Sequence, residues 1–302
     1  MIDSFYQIRN ITILGVGLIG GSLGLALKEK GFRGEIIGLG RQMNTLEIAL
    51  ERGAVDQVTT EFEVGVRHAD LVVVGTPVDL IPTMVQRIAR CFGEVRGADT
   101  TPLLITDVGS VKQHVVETIE HLLALPEHRP LHFVGSHPMA GSEKTSVAAA
   151  RVDLFEGAKC IVTPTGNTHP QALQVITDLW KFVGVRTYHL SPSEHDTLIA
   201  GASHLPHLIA SILTNTVGQI GSDTAHALDF AATGFRDTTR IAAGSPEIWT
   251  GIFMQNAHSL LPMIDAVIEN LTAFKALLEN QDTAGIERVL IHSKTLRNTL
   301  EG

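Results

Sequence analysis

Residues 11–27 read ITILGVGLIGGSLGLAL, and this stretch decides the fold. Its β-branched start predicts a strand, and the residues after the glycine-rich turn predict a helix. Gly15, Gly17 and Gly20 have the GxGxxG spacing. The first glycine permits a tight turn, the second lets a pyrophosphate approach the backbone, and the third lets the helix pack on the strand. The turn therefore predicts a dinucleotide site where the helix presents free N–H groups; a tight turn without a ligand is the alternative.

The end of the second predicted strand, residues 35–39, indicates which dinucleotide is bound. NAD sites usually have an acidic residue there, but Gly40 stands at that position and Arg41 follows. A guanidinium pairs with a 2′-phosphate, so we predict NADP in preference to NAD, with an ordinary solvated Arg41 as the alternative. The residues expected at the cofactor are Gly15, Gly17, Leu18, Ile19, Gly20 and Arg41, with Thr76 and Pro77 after a buried strand.

Composition narrows the class of protein. The chain has 302 residues, 44% of them hydrophobic and 18% charged, which suits two folded domains with large cores. The net charge of −9 argues against a nucleic-acid or anionic-membrane partner. The two cysteines, Cys91 and Cys160, form no CxxC motif, so we expect neither disulfide nor zinc and predict a cytoplasmic protein.

Two uncharged stretches raise the question of a membrane span. Residues 11–27 contain five glycines, which fit a phosphate loop better than a lipid-facing helix. Residues 197–222 are long enough to span a bilayer but contain His204, Pro206 and His207. Polar groups are unfavourable in lipid, so we predict a buried helix of a domain or an oligomer and no membrane partner.

Outward from the first stretch, short apolar runs alternate with amphipathic ones. This alternation predicts an α/β, doubly wound Rossmann-type N-terminal domain with a parallel sheet. Residues 194–300 show only helical patterns, which predicts an all-α second domain and the division 1–190 and 191–302. Its high apolar content favours a homodimer, with packing inside one chain as the alternative. We predict strands at 11–14, 35–39, 71–75, 103–107, 132–135, 160–163 and 186–190, and helices at 18–30, 44–52, 80–92, 111–123 and 170–183.

Two segments follow predicted strands at the rim where doubly wound folds bind ligands. They read TDVGSVK (residues 106–112) and GSHPMAGSEK (residues 135–144). His137, placed after a strand and followed by proline, is a candidate general base, although a buried structural histidine would look the same. Ser110 is a candidate to hydrogen-bond His137 or the substrate; its alternative is to cap a helix beginning at residue 111.

The full order of motifs is far more specific than any one of them. DVGSVK and HPMAGSEK are followed by DLFEGA (153–158), EHD (194–196), SHLPH (203–207) and GFRDTTRIAAGSPEIW (234–249). With the glycine turn, this set resembles the prephenate/arogenate dehydrogenase family of tyrosine biosynthesis, over nearly the whole chain. The resemblance implies a dinucleotide-binding domain, a helical dimerisation domain and an active site between them. We expect neither a chorismate mutase segment before the glycine turn nor a regulatory ACT domain after Leu300.

The resemblance also implies an activity and its residues. The activity is NAD(P)-dependent oxidative decarboxylation of prephenate, arogenate or both, giving 4-hydroxyphenylpyruvate or tyrosine. His137 matches the catalytic base and Ser110 the residue that orients it. Substrate-side positions are His204, His207, Arg240, Asp237, Glu143 and Trp249, with Arg240 matching the arginine that binds a substrate carboxylate. Without the resemblance, the two histidines could be core or metal residues and Arg240 a capping or ion-pairing residue; no Cys or carboxylate completes a metal site, so we predict no metal.

Two other functions stay open from the residues alone. A β-hydroxyacid dehydrogenase also transfers hydride and has a helical second domain, but such enzymes usually use a catalytic lysine there, and the uncharged stretch 197–222 has none. A cofactor-binding regulatory protein without catalysis is the other. Reduction of the nicotinamide cofactor with prephenate or arogenate would distinguish these alternatives.

Overall fold

A computed structural model of the chain describes residues 4–96, 102–125, 130–141 and 146–301. Within these residues, eight strands form one sheet in the order β3-β2-β1-β4-β5-β6-β7-β8. Neighbouring strands pair in parallel, except β6 and β7, which are antiparallel. The strands are β1 (Asn10–Leu14), β2 (Glu35–Leu39), β3 (Gln57–Thr59), β4 (Leu71–Val74), β5 (Leu103–Asp107), β6 (Leu131–Met139), β7 (Lys159–Thr163) and β8 (Arg186–His189).

Helices connect the strands and then continue alone after β8. The first group is α1 (Leu18–Glu29), α2 (Met43–Glu51), α3 (Phe62–Arg67), α4 (Ile81–Arg96), α5 (Gln113–Leu123) and α6 (Pro170–Phe182). The second group is α7 (Pro192–Ile199), α8 (Leu205–Gly218), α9 (Thr233–Thr239), α10 (Pro246–Gln255), α11 (Ala257–Glu279) and α12 (Thr283–Asn298).

The sheet is covered by helices on both faces. In β4, Leu71 and Val73 pack in an apolar cluster with residues of α1, α2 and α6. The alternate residues Val72 and Val74 pack in a second cluster with residues of α3, α4 and α5. A strand buried on both faces needs a continuous apolar run, which LVVV supplies. The predicted doubly wound α/β fold followed by helices is confirmed.

The strand order reverses between β1 and β4, and this reversal creates a crevice at their carboxyl ends. Doubly wound sheets bind ligands at such a point. The ends of β1 and β4 approach closely there, since the Gly75 N–H donates to the Leu14 carbonyl oxygen at 2.7 Å. The segments that follow β1 and β4 therefore meet at the place where the glycine turn lies.

Strand β6 differs from the sequence prediction in a way that matters for the site. The predicted strand ended at residue 135, with His137 in the loop after it, but β6 continues to Met139. Strand β7 runs antiparallel along this extension and pairs Ile161 with His137. The prediction of a loop position for His137 is wrong, because β7 supplies hydrogen-bond partners that the local sequence does not reveal. The short elements β3 and α3 were not predicted, since three and six residues are too few for a periodic pattern.

The second uncharged stretch is not one regular α-helix. A π-helical turn, Ala200–His204, separates α7 from α8, and the Leu205 N–H donates to the Ala200 carbonyl oxygen across it. Pro206 follows, and it has no N–H for a regular helical bond. In the described residues, Pro192–Gly218 is the one segment long and apolar enough for a membrane span, with a hydropathy of 1.3. Its polar residues His204 and His207 are buried in the protein, but only 28% of its most apolar window is buried, so the predicted buried helix is only partly covered within one chain.

The chain divides into two compact units, Met1–Asn256 and Ala257–Gly302. The first unit includes α10, whose Ile252 packs in the same apolar cluster as α4 and α5. The second unit is the pair α11 and α12, where the Asp282 side chain caps α12 by accepting a hydrogen bond from the Gly285 N–H at 2.8 Å. The boundary at residues 190 and 191 follows composition rather than compactness, and it stays a prediction.

Candidate active site

A cavity of about 770 Å³ opens at the carboxyl ends of the central strands. Its volume lies within the range of small-molecule sites, about 300–1,000 Å³. The walls come from the segments after β1, β2, β4 and β5, from β6, and from the helical residues 203–252. Of the residues predicted from sequence, those that line it are Gly17, Leu18, Ile19, Gly20, Arg41, Thr76, Pro77, Ser110, His137, His204, His207, Arg240 and Trp249.

The glycine turn forms one end of the cavity. Gly15 has φ +93°, and a Cβ there would lie 2.7 Å from the carbonyl oxygen of Gly75, so only glycine fits. Helix α1 begins at Leu18, and its N-cap residue Gly17 makes no side-chain capping bond. The first N–H groups of an α-helix have no partner inside the helix. Since this first turn lines the cavity, it presents donors and a partial positive charge to an anionic ligand.

Two side chains add polar groups at this end. The Thr76 hydroxyl oxygen is buried and has no hydrogen-bond partner among the described residues. Arg41 is exposed and lies at the cavity wall just beyond β2. A buried hydroxyl without a partner is unfavourable, so the site is built to receive a polar ligand next to Thr76.

At the other end, three side chains form a chain of hydrogen bonds. His137, only 8% exposed, has its Nδ1 2.8 Å from Nε2 of His195. The Nδ1 of His195 lies in turn 2.8 Å from Oδ1 of Asp196. His195 and Asp196 are completely buried in α7, whereas His137 reaches the cavity. The chain therefore links a histidine at the cavity wall to a buried carboxylate.

Asp196 is fixed by a second helix. Its Oδ1 accepts a hydrogen bond from the Lys112 N–H at 2.7 Å, and its Oδ2 accepts one from the Gln113 N–H at 2.8 Å. Helix α5 begins at Gln113, so Asp196 caps this helix from α7. The alternative of Ser110 as the cap of a helix beginning at residue 111 is wrong, because the helix starts later and Asp196 takes that place.

A buried ion pair supports the segment between β5 and α5. Lys112 and Asp107 are completely buried and form a salt bridge. The Lys112 ammonium also donates to the Ser136 carbonyl oxygen at 2.9 Å. Asp107 accepts from the N–H groups of Gly109 at 2.8 Å and Ser136 at 3.1 Å. A buried pair with this many hydrogen bonds is compensated for lost hydration, and it joins the segment carrying Ser110 to the strand carrying His137.

The helical wall contributes two histidines of different character. The Asn256 amide nitrogen donates to the Asp196 carbonyl oxygen at 2.9 Å and lies 3.1 Å from Nδ1 of His204. A carbonyl oxygen only accepts, so this nitrogen is the donor, and Nδ1 of His204 accepts its other hydrogen. Nε2 of His204 then carries the proton; it is buried without a partner among the described residues. His207 instead stacks on Trp249, with ring centroids 3.5 Å apart.

Burial keeps the histidines of the site uncharged. Burial, with the nearby His195, Lys112 and His204, holds the pKa of His137 well below its usual range. Burial lowers the pKa of His204 to about 4. It also lowers the pKa of His195, against the opposing effect of the hydrogen bond to Asp196, and the pKa of His207. At neutral pH these rings act as neutral donors and acceptors, so His137 can accept a proton.

Comparison with known proteins identifies the family. The family sequence model described as the nucleotide-binding domain of prephenate dehydrogenase matches residues 23–189, and the one described as its dimerization domain matches residues 191–292. The chain belongs to the prephenate dehydrogenase family. The predicted family and fold class are confirmed, and the protein is an oxidoreductase.

Individual relatives agree with the family over most of their length. The chain is 36% identical to prephenate dehydrogenase of Bacillus subtilis (strain 168), over 96% of this chain and 76% of that protein. It is 34% identical to cyclohexadienyl dehydrogenase of Zymomonas mobilis, over 91% of this chain and 90% of that protein. The Aquifex aeolicus prephenate dehydrogenase, crystallised with hydroxyphenyl propionate and NAD+, superposes with a TM-score of 0.85 at 30% identity over 97% and 98% of the two chains. For Synechocystis arogenate dehydrogenase the TM-score is 0.78 at 29% identity, over 96% and 99%.

In this member of the prephenate dehydrogenase family, some predicted site residues lie away from the cavity. Asp237 is exposed on α9 and is not part of the lining. Gly15 shapes the turn behind the lining residues, and Glu143 lies outside the described residues. His137 Nδ1 is occupied by His195, so the predicted bond from Ser110 would have to use Nε2. In the described parts of the chain, no group of three or more His, Cys, Asp or Glu side chains is placed to hold a metal ion.

Residue-by-residue reading of the sequence missed the support behind His137. His195 and Asp196 belong to the EHD motif, and Lys112 belongs to DVGSVK. The residue spacing in these motifs does not indicate what the three side chains do. Sequence analysis assigns no role to Lys112, whereas the residue is buried and paired with Asp107. The local sequence around Lys112, with Val111 before it and Gln113 and His114 after it, carries no signal of this buried pair.

Proposed function

We propose that this protein is an NAD(P)-dependent dehydrogenase that oxidatively decarboxylates prephenate, arogenate or both. The products are 4-hydroxyphenylpyruvate from prephenate and tyrosine from arogenate, as in tyrosine biosynthesis. The observation that carries the proposal is a single cavity with a dinucleotide turn at one end and His137 and Arg240 at its walls. The relatives named prephenate, cyclohexadienyl and arogenate dehydrogenase support the same reaction.

The residues at the glycine turn fit NAD(P). The uncapped N-terminus of α1 offers backbone donors to a pyrophosphate, and Gly15 permits the close approach of the two loops. The Thr76 hydroxyl, which has no hydrogen-bond partner among the described residues, lies in the same wall. When bound, the nicotinamide accepts the hydride that leaves C4 of the substrate. The relative from Aquifex aeolicus was crystallised with NAD+.

His137 is the proposed catalytic base. Its Nε2, the ring nitrogen not bonded to His195, takes the proton of the substrate C4 hydroxyl, so the C4–O bond becomes a carbonyl as hydride leaves. The bond from ring carbon C1 to its carboxylate then breaks, and its electrons make the ring aromatic as carbon dioxide departs. The proton on His137 returns to the phenolate oxygen, and the base is restored. A neutral histidine at pH 7 is in the state that this step requires.

The other proposed residues hold the substrate. Arg240 is the lining guanidinium on the helical wall, and a substrate carboxylate is its fitting partner. The Nε2–H of His204 is a buried donor without a partner among the described residues, so it can bind a substrate oxygen. His207 and Trp249 form a flat stacked wall against which a ring can pack. Ser110 lines the same cavity as His137, and the roles of Ser110, Asp237 and Glu143 stay predictions.

A cofactor-reduction assay tests the function. Purified protein is mixed with prephenate or arogenate and with NAD or NADP, and the absorbance of the reduced nicotinamide is followed. We expect reduction with at least one substrate, together with one carbon dioxide per reduced cofactor. A protein that binds NAD(P) but reduces it with neither substrate would contradict the proposal and favour a non-catalytic cofactor-binding protein. The lining of the cavity contains no lysine in the described residues, unlike the site expected of a β-hydroxyacid dehydrogenase.

We propose that the protein prefers NADP to NAD. Gly40 leaves no carboxylate to repel a 2′-phosphate, and Arg41 lies at the cavity wall. A charge-assisted hydrogen bond contributes about 1.5–3 kcal/mol, so Arg41→Ala should lower kcat/KM for NADP about 10- to 100-fold and leave NAD unchanged. Kinetics with both cofactors check this, with Arg33→Ala before β2 as a matched control. A preference for NAD that Arg41→Ala does not alter would overturn it.

We also propose a cytoplasmic homodimer. The matched dimerization-domain model supports this assembly. Within α11 and α12, large apolar side chains are exposed in the single chain: Leu261, Ile268, Leu271, Leu278, Leu290, Ile291 and Leu296. Apolar side chains exposed in a single chain are typical of a surface that a second subunit covers. Light scattering should give twice the chain mass, and Leu271→Glu should lower it; a monomeric wild type would contradict the assembly.

A further inference from the structure

The hydrogen bonds behind His137 determine which of its nitrogens carries a proton. Asp196 accepts two backbone N–H groups and is the acceptor for His195, so Nδ1 of His195 must carry a hydrogen. In a neutral imidazole the other nitrogen is then bare, and Nε2 of His195 is an acceptor. Nδ1 of His137, 2.8 Å away, is therefore the donor in that bond. It follows that Nε2 of His137 is bare and able to take a proton.

At Asp196, the far end of this series of hydrogen bonds, the donors and acceptors cannot exchange roles. Asp196 is held by the Lys112 and Gln113 N–H groups, which only donate, and it is fully buried. Its backbone carbonyl is also fixed, since it accepts from the Asn256 amide at 2.9 Å. The carboxylate therefore keeps His195 in one orientation and one tautomer. His195 does not line the cavity, so it touches neither substrate nor cofactor there.

Without the hydrogen bond from Nδ1 to His195, no hydrogen bond among the described residues would fix the orientation of the His137 ring. The predicted Ser110 contact can use only Nε2 of His137, the nitrogen needed for the substrate hydroxyl. A base that takes a proton from the hydroxyl gains positive charge, and an acceptor on its Nδ1–H stabilises that charge. His195, backed by a carboxylate, supplies such an acceptor.

We propose that His195 and Asp196 are positioning residues that hold His137 in its Nδ1–H tautomer and so expose Nε2 as the base. This inference rests on the proposed function for its kinetic consequence. During the reaction the substrate O–H bond breaks and the Nε2–H bond forms on His137. The Nδ1–H stays hydrogen-bonded to His195, and Asp196 stabilises the resulting cation through it. The proton on Nε2 returns to the product oxygen.

Ring-nitrogen NMR tests the tautomer directly. The wild-type protein is labelled with 15N-histidine, and His137 is assigned by its loss in His137→Asn. We expect Nδ1 of His137 to carry the hydrogen in the wild type. In His195→Asn, the shorter amide can reach Asp196 but not His137, and the His137 signal should shift toward the Nε2–H tautomer. A wild-type His137 with its hydrogen on Nε2 would overturn the proposal.

Kinetics of matched variants test the consequence. Misplacing a reacting group by about 1 Å costs up to about 100-fold, so His195→Asn should lower kcat between about 10- and 100-fold with the cofactor KM unchanged. His195→Gln should recover much of kcat, since its longer amide can accept from His137 and donate to Asp196. The exposed His114→Asn, in the same helix that Asp196 caps, is the control and should behave as wild type.

The outcomes separate the two proposals. If the wild type reduces cofactor but His195→Asn changes neither kcat nor the His137 tautomer, the positioning role fails and the proposed function stands. If the tautomer is as expected but no substrate is oxidised, the proposed function fails and the hydrogen-bond assignment stands. Should His195→Asn not fold, the wild-type spectrum and His195→Gln still decide the question.

Discussion

The two ends of the cavity are built in opposite ways. At the glycine turn, binding groups are main-chain N–H groups, and the residues there are defined by what they lack: Gly15 has no Cβ because Gly75 fills that space. At the other end, the function depends on side chains that hold one another, as in the chain from His137 through His195 to Asp196. Adding atoms should damage the first end, and removing atoms should damage the second.

The largest effect is expected from removing the base. His137→Asn should lower kcat by about 10²- to 10⁴-fold, the usual contribution of a general base, with NAD(P) affinity nearly unchanged. Steady-state kinetics and cofactor titration measure both quantities. A wild-type kcat in this variant would show that the side-chain end of the cavity does not perform the proton transfer.

The next effect concerns substrate binding at the same end. Arg240→Gln should raise KM for the substrate about 10- to 100-fold, because a charge-assisted bond to a carboxylate of about 1.5–3 kcal/mol is lost. Arg236→Gln provides the control, since Arg236 is exposed on α9 and does not line the cavity. Equal KM values in the two variants would remove Arg240 from the site.

An added methyl group tests the backbone end. Gly15→Ala places a Cβ 2.7 Å from the Gly75 oxygen, whereas Gly31, with a similar φ of +86°, has open space around it. Both variants share the strain of a positive φ, about 1 kcal/mol, and Gly15→Ala adds the overlap with the Gly75 backbone, so it should lower stability more than Gly31→Ala. Gly15→Ala alone should also weaken NAD(P) binding, about tenfold or more. Calorimetry and cofactor titration compare them; equal affinity in both variants would contradict a backbone-built site.

The last prediction concerns the pH dependence of stability. His204 has a folded pKa of about 4 against about 6.5 in the unfolded chain, so the unfolded state binds more protons between these values. Stability from this group is present above about pH 6.5 and declines by about 1.4 kcal/mol per pH unit below it. Urea unfolding between about pH 6.5 and 5 should show at least this slope, because the pKa values of His137, His195 and His207 are lowered too, and His204→Asn should reduce it. An unchanged slope in the variant would mean that His204 is charged in the folded protein.

The contrast between the two ends of the cavity explains which parts of the site could be predicted from the sequence. Gly15, Gly17 and Gly20 act within six residues of one another, so their spacing carries the signal. His195 lies 58 positions from His137, and Asp196 lies 84 from Lys112, so their bonds exist only after α7 packs beside α5 and β6. His137 was expected in a loop because its strand depends on pairing with β7. Family resemblance located Arg240, which no local pattern would have selected.

Asp196 has one further consequence, because a single carboxylate both terminates the chain from His137 and caps α5. Free-energy coupling between two such events is reciprocal. A change in the hydrogen bond between His195 and Asp196 should therefore alter hydrogen exchange at the first amides of α5, those of Lys112 and Gln113. Hydrogen exchange at these two amides therefore offers a measurement of the Asp196 carboxylate that is independent of catalysis.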